Sequence, residues 1–212
     1  MPKIYFYKLT CDDGGAPCVQ DGLLSLAICK PMIRSTAEVG DLIFGFAAKS
    51  LFGDNRLIYI AWVTDKKSEG EYYLNKRFSG RGDRIYRRRA GRFEWRTRAL
   101  YHGPGDVESD LGSYPWYDRA NVLLSTNLRY FGKSGNSDYK GRYPLVRDAV
   151  ESLGQGHRVN HGEALRQELV SLANEVFRST RRKILGRPTT LPRRGVSHRS
   201  KSCGVIDSEG SC

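Results

Sequence analysis

The sequence has no C-x-x-C pair among its five cysteines, and five is an odd count. That argues against a zinc ribbon and against a disulfide framework, and leaves reduced thiols as the simpler account. No apolar run approaches the length of a membrane span, and Met1-Pro2-Lys3-Ile4-Tyr5-Phe6 lacks the apolar core and cleavage site of a signal peptide. The expectation is a soluble cytoplasmic protein with no membrane partner. Internal repeats are lacking too, which argues against a repeat architecture. Acidic residues are the scarcer charge: 23 Asp and Glu stand against 35 Lys and Arg, a formal net charge of +12. Such an excess favours polyanions as partners, the plain alternative being a solvated basic surface.

What is present starts with Ala37 to Phe46, where Gly40-Asp41 makes a corner into the apolar run Leu42-Ile43-Phe44-Gly45-Phe46. Gly45 inside that run marks a bulge or a close approach of another group, which argues for a strand rather than a buried helix. Leu57 to Thr64 is rich in β-branched and aromatic residues and follows after a short polar connection. The two read as an antiparallel pair at the centre of a small β-barrel or strongly curved mixed sheet, in an α+β protein.

Lys3 to Leu9 reads as a first strand. Thr10 to Cys18 is a turn-rich loop carrying Asp12 and Asp13, and Leu23 to Cys29 is a second apolar run that Lys30-Pro31 ends. Pro31 to Glu38 suits a short helical turn. Asn121 to Ser125 and Leu128 to Gly132 look like further strands. Pro144 to Leu153 and about Gly162 to Ile184 carry helical periodicity. From Gly186 onward Pro, Arg, Ser and Gly dominate, as in a disordered basic tail. The length of 212 residues fits one domain with appendages: 1–153 as the domain, 154–185 helical, 186–212 the tail.

Between Lys66 and Arg98 aromatic and basic residues interleave, and a surface that stacks bases while holding phosphates is the sharper reading of that pattern than a solvated loop. The candidate nucleic-acid contacts are Lys30, Arg34, Arg81, Arg84, Tyr86, Arg88 and Trp95. Trp62, Trp95 and Trp116 are candidate pocket rings, with core packing as the alternative for Trp62. Asp12, Asp13, Cys29 and Lys30 are candidate catalytic residues, with Cys18 and Arg34 beside them: a carboxylate pair can act as a general base, and a thiol next to a cation can be activated as a nucleophile. The competing readings are a turn pair for Asp12-Asp13 and a buried thiol for Cys29. His102 lies in a loop near Asp106 and Asp110, where a lone histidine is more often solvated than catalytic. No metal and no cofactor is expected.

Four stretches together carry a resemblance: Cys11 to Cys18, Leu26-Ala27-Ile28-Cys29-Lys30-Pro31-Met32-Ile33-Arg34, Gly40 to Phe46, and Leu123-Leu124-Ser125 with Arg129-Tyr130-Phe131-Gly132. They resemble the second family of nucleotide-modification-associated domains, over roughly Lys3 to Leu153. The resemblance implies a setting, namely systems that make or handle modified DNA bases, alongside other proteins of such a system. A looser resemblance is to the PUA-like group, including EVE, ASCH and YTH domains, which hold a base in an aromatic pocket. The expected function is therefore nucleic-acid binding, DNA first, with recognition of a modified base. The alternative is an enzyme acting on a nucleotide or modified base through the Asp12/Asp13, Cys29-Lys30 and Arg34 region. A third reading is a small interaction protein whose helices dock a partner.

Overall fold

The computed structural model describes residues 1–190. In chain order its strands are β1 (Ile4–Leu9), β2 (Cys18–Gln20), β3 (Leu23–Leu26), β4 (Leu42–Ala47), β5 (Leu57–Trp62), β6 (Asp65–Lys67), β7 (Tyr86–Arg89), β8 (Arg92–Trp95), β9 (Val122–Ser125), β10 (Asn127–Tyr130) and β11 (His157–Arg158). The α-helices are α1 (Pro31–Thr36), α2 (Glu71–Leu74), α3 (Val107–Leu111), α4 (Tyr139–Arg142), α5 (Pro144–Ser152) and α6 (Glu163–Ser179).

A five-stranded sheet runs in the order β10-β5-β4-β1-β11, a four-stranded sheet in the order β2-β3-β9-β6, and β7-β8 form a separate hairpin. β4 is central because every one of its residues is buried, so it reads as a continuous apolar run rather than an alternation. Leu42, Phe44 and Phe46 face α5 and α6, packing with Val146, Val150, Leu169 and Leu172. Ile43 and Ala47 face the other way, toward Leu24, Leu26 and Leu123 of the four-stranded sheet. The outer side of that second sheet is covered by α2, the β7-β8 hairpin and α3 through Tyr72, Tyr73, Tyr86, Phe93 and Leu111. Burying each ring or aliphatic side chain contributes about 1.5–3 kcal/mol, and these layers are where most of that stabilisation lies.

The pairing of β4 with β5 is antiparallel, as expected, whereas β1 joins β4 in parallel with Ile4 opposite Leu42. Gly45 serves both purposes foreseen for it: the register shifts between Gly45 and Phe46, and a Cβ at Gly45 would collide with the Tyr59 ring. At the corner before β4, Gly40 has φ 94 and the Asp41 carboxylate accepts the Lys3 N–H at 2.7 Å and the Glu38 N–H at 2.9 Å. One side chain thus pins the starts of β1 and β4. Asp41→Ala is expected to cost about 1–3 kcal/mol, with Asp41→Asn milder because it keeps one acceptor oxygen; urea unfolding of the two variants checks the order.

Three expectations change. The sheets do not close into a barrel: β11 is a two-residue edge, and at the other edge β10 is flanked by residues 183–185, with Lys183 O accepting the Tyr130 N–H and Tyr130 O accepting the Leu185 N–H, both at 2.8 Å. A PUA-like barrel is therefore not what this chain forms. α6 ends at Ser179 rather than near Ile184, since Thr180 is extended and the Arg129 guanidinium takes the terminal carbonyls of Phe177 and Thr180. Ordered chain also continues past Gly186. Arg187 O accepts the Lys133 N–H at 3.0 Å, and Thr189 and Thr190 donate to Asp12. The remainder of the expected tail, 191–212, lies outside the described residues.

Candidate functional site

The chain leaves β3 through Ala27 and Ile28, turns sharply at Cys29 and Lys30, and enters α1 at Pro31. Both turn residues have positive φ, 58 for Cys29 and 45 for Lys30, a conformation that costs free energy in a residue with a Cβ. A strand-to-helix turn of this kind lifts the side chain at its apex out of the sheet, as it does for nucleophiles in other folds. Here the apex is a thiol. Cys29 Sγ lies 3.2 Å from His102 Nε2, and His102 Nδ1 lies 2.7 Å from Asp110 Oδ2. His102 also has positive φ, 53.

Each member is held by its own support. The 101–102 loop is tied to the hairpin by the Trp95 indole, which donates to Tyr101 O at 3.0 Å. Asp110 sits in α3 with its side chain buried. Its Oδ2 also accepts the Tyr86 hydroxyl at 2.6 Å, and its Oδ1 accepts the Cys29 N–H at 3.0 Å. Burial pushes the Asp110 carboxyl up, but the His102 hydrogen bond and charge, the Arg34 guanidinium and the Tyr86 hydroxyl outweigh it and hold it below the usual carboxylate range. An ionised Asp110 accepts only, so the His102 nitrogen facing it carries a proton, and in the neutral ring the Nε2 lone pair is turned toward the Cys29 thiol. The order thiol, imidazole, buried carboxylate is that of a nucleophile, its general base and the group that orients the base.

Arg34 is fully buried, and its guanidinium donates to the carbonyls of Cys29, Asp110, Arg119 and Asn121 at 2.6–2.9 Å. With its donors committed to the backbone, it braces the Cys29-Lys30 turn against α3. Tyr86 is likewise buried and spends its hydroxyl on Asp110, so it presents no face for a base. Arg81 is taken by Cys18 O, the Ser25 hydroxyl and the Tyr72 hydroxyl. Its neighbour Asp83 closes that buried network by accepting from Ser25 and Tyr72. Asp12 is buried and accepts from Tyr130 and Thr189, and burial pushes its carboxyl up. Asp13 accepts the Gly15 N–H in a local turn. Lys30 Nζ lies 4.9 Å from the centre of the Tyr7 ring, next to the thiol turn. Cys18 is buried, and its thiol is pushed up to about 12, by burial first and then by Asp83.

Arg84 and Arg88 stand nearer the surface. Arg84 is half-buried beside Arg96; burial and then that like charge hold it below the usual guanidinium range, and its Nε has no hydrogen-bond partner among the described residues. Arg88 is exposed on the hairpin. Of the tryptophans, Trp62 and Trp95 are half-buried and Trp116 is 82% exposed. The sequence marks Cys29 as a candidate and sets His102 near Asp106 and Asp110, but it joins neither His102 nor Asp110 to Cys29. The available signal was their eight-residue spacing in one loop-to-helix segment, since a partner 73 residues from Cys29 leaves no trace in any local pattern. Among the described residues no cluster of His, Cys, Asp and Glu suits a metal ion, and no helix is long and apolar enough to cross a membrane.

An α+β frame with a thiol-imidazole-carboxylate constellation at a strand-to-helix turn defines the class. The family follows from the sequence as a whole: residues 1–191 match the model of nucleotide modification associated domain 2, and the chain belongs to that family. The match extends past the 3–153 range that carried the resemblance and takes in α6 and the segment over Asp12. Comparison with curated proteins and with solved structures finds no match.

Proposed function

We propose that this protein is a thiol-dependent enzyme of a nucleotide-modification system, with Cys29 as nucleophile, His102 as general base and Asp110 as the residue that orients and charges the imidazole. The observation that carries the reading is the 3.2 Å and 2.7 Å relay from Cys29 through His102 to Asp110. The Sγ proton passes to Nε2 as sulfur forms a bond to an electrophilic carbon of a nucleotide or modified base. The bond to the leaving group then breaks, and that group takes the proton back from the imidazolium; an acceptor hydroxyl or amine, giving its proton to His102, next displaces the sulfur, which leaves as the thiolate and recovers the proton. Asp110 remains ionised throughout. A second reading, nucleic-acid binding with recognition of a modified base, is favoured by the exposed arginines of the β7-β8 hairpin. The two readings join if the base to be modified arrives in a polynucleotide. Proteins of the same modification system are the proposed partners.

The test is the rate of alkylation by iodoacetamide, resolved by peptide mass spectrometry. Cys29 is expected to react at least about tenfold faster at neutral pH than the other thiols, and His102→Ala is expected to remove that advantage. Cys18 should stay unreactive while the fold is intact. A Cys29 no faster than its neighbours, or one indifferent to His102→Ala, would overturn the assignment.

A further inference from the structure

The β7-β8 hairpin begins and ends at the thiol site and carries its charge away from it. Tyr86 at one end of β7 holds Asp110, and Trp95, paired with Tyr86 across the ladder, holds the His102 loop. Three residues further along, roughly 10 Å at strand rise, Arg89 lies directly opposite Arg92. Like charges in that position weaken a hairpin, and among the described residues neither arginine has an acidic partner. On the same face Arg87 is paired with Glu94 at 2.8 Å, while Arg88, opposite the buried Phe93, stands on the other face. The turn between Arg89 and Arg92 is Ala90-Gly91, both with positive φ, which gives the ribbon a tight tip. Beside it the Arg92 guanidinium lies 4.4 Å from the centre of the Tyr114 ring, and that ring is itself 53% exposed. Trp116, two residues on, is more exposed still.

We infer that this face, Arg89 and Arg92 with Tyr114 and Trp116, is a track for single-stranded nucleic acid leading to Cys29; its role as a feed for chemistry rests on the thiol reading above. Unpaired guanidinium groups on a ribbon match a phosphate backbone, and the two exposed rings match the faces of bases. A two-stranded ribbon also fits the major groove of a duplex. Rings on its flank, however, find base faces only where the bases are unstacked, and a thiol acting on a base needs it out of the stack as well. The single strand satisfies both requirements.

The experiment measures anisotropy of labelled 12-mer oligothymidylate and oligouridylate, and of a 12-base-pair duplex, alongside the fluorescence of Trp116. Binding of either single strand about tenfold more tightly than the duplex, with quenching lost in Trp116→Ala, supports the track. Replacing Arg89 and Arg92 together by Ala is expected to weaken binding about 30-fold at low salt and to reduce the salt slope by about 1.4, at 0.7 per phosphate contact. These side chains are exposed, so melting should be unchanged. Equal or tighter duplex binding overturns the inference. So does displacement by polyglutamate as effective as by unlabelled oligonucleotide, or a double variant that binds like the parent. Cys29 alkylation on the same samples keeps the two readings apart: fast, His102-dependent alkylation without oligonucleotide binding sinks the track and spares the thiol site. Oligonucleotide binding with slow alkylation does the reverse.

Discussion

Arg34→Met is expected to abolish cooperative folding or to lower stability by about 3–5 kcal/mol, the range found when one partner of a buried charge pair is removed. Four carbonyls from three segments, those of Cys29, Asp110, and Arg119 with Asn121, converge on this one guanidinium, which also lies 3.8 Å from Asp110 Oδ1. Methionine fills much of the volume but leaves those acceptors unsatisfied in the interior. Each unsatisfied acceptor costs about 1–3 kcal/mol unless water enters, against a net stability of about 5–15 kcal/mol for an ordinary domain. Arg34→Lys should rescue little, because an ammonium offers three donors at one point and cannot span four acceptors held around a planar fork. The measurement is thermal and urea unfolding of both variants. If Arg34 contacted phosphate, Arg34→Met would instead melt like the parent and lose only oligonucleotide affinity, and that result would reverse the role assigned to it.

The fate of Arg34 shows where the sequence was legible. Patterns governed by nearest neighbours came through: the glycine-aspartate corner, the apolar strands β4 and β5, the proline-initiated α1 and the stripes of α5 and α6 all depend on local spacing. Closure into a barrel did not follow, because whether a sheet closes depends on partners chosen at long range, here the separate alliance of β2, β3, β9 and β6. Charge was the least legible property. Arg34, Arg81 and Tyr86 were counted toward a surface, yet each is buried and consumed by backbone or carboxylate groups. The hairpin arginines look the same in the sequence and are exposed. Burial alone separates the two sets. The site itself was half-visible: Cys29 stood out beside a cation, but the histidine that faces it comes from the far side of the chain.

The second large effect is expected from Asp110→Asn, which keeps the shape of the side chain and changes only what it can accept. In the most economical orientation the amide oxygen keeps the Cys29 N–H and the Arg34 side, while the amide nitrogen faces His102 and Tyr86. An N–H donor there moves the imidazole proton to Nε2, so that the nitrogen facing Cys29 can no longer take the thiol proton. The same exchange of carboxylate for amide in a serine-protease triad costs about 10⁴ in turnover. For simple alkylation the expected loss is smaller, about 10–100-fold at neutral pH, since the probe reads only the thiolate supply. Stability carries an independent sign. The folded Asp110 carboxyl is held below its ordinary value, so its contribution is fully present above the unfolded carboxylate range, about pH 3.9, and is lost as pH falls through the lower folded value. The carboxylate's part of the stability gap between the parent and Asp110→Asn should therefore persist down to about pH 4 and shrink in stronger acid. Urea unfolding at several pH values reads that gap, and alkylation reads the proton relay. A gap that behaves as stated while Cys29 reacts as fast as in the parent would leave Asp110 as a structural anchor and remove it from the chemistry.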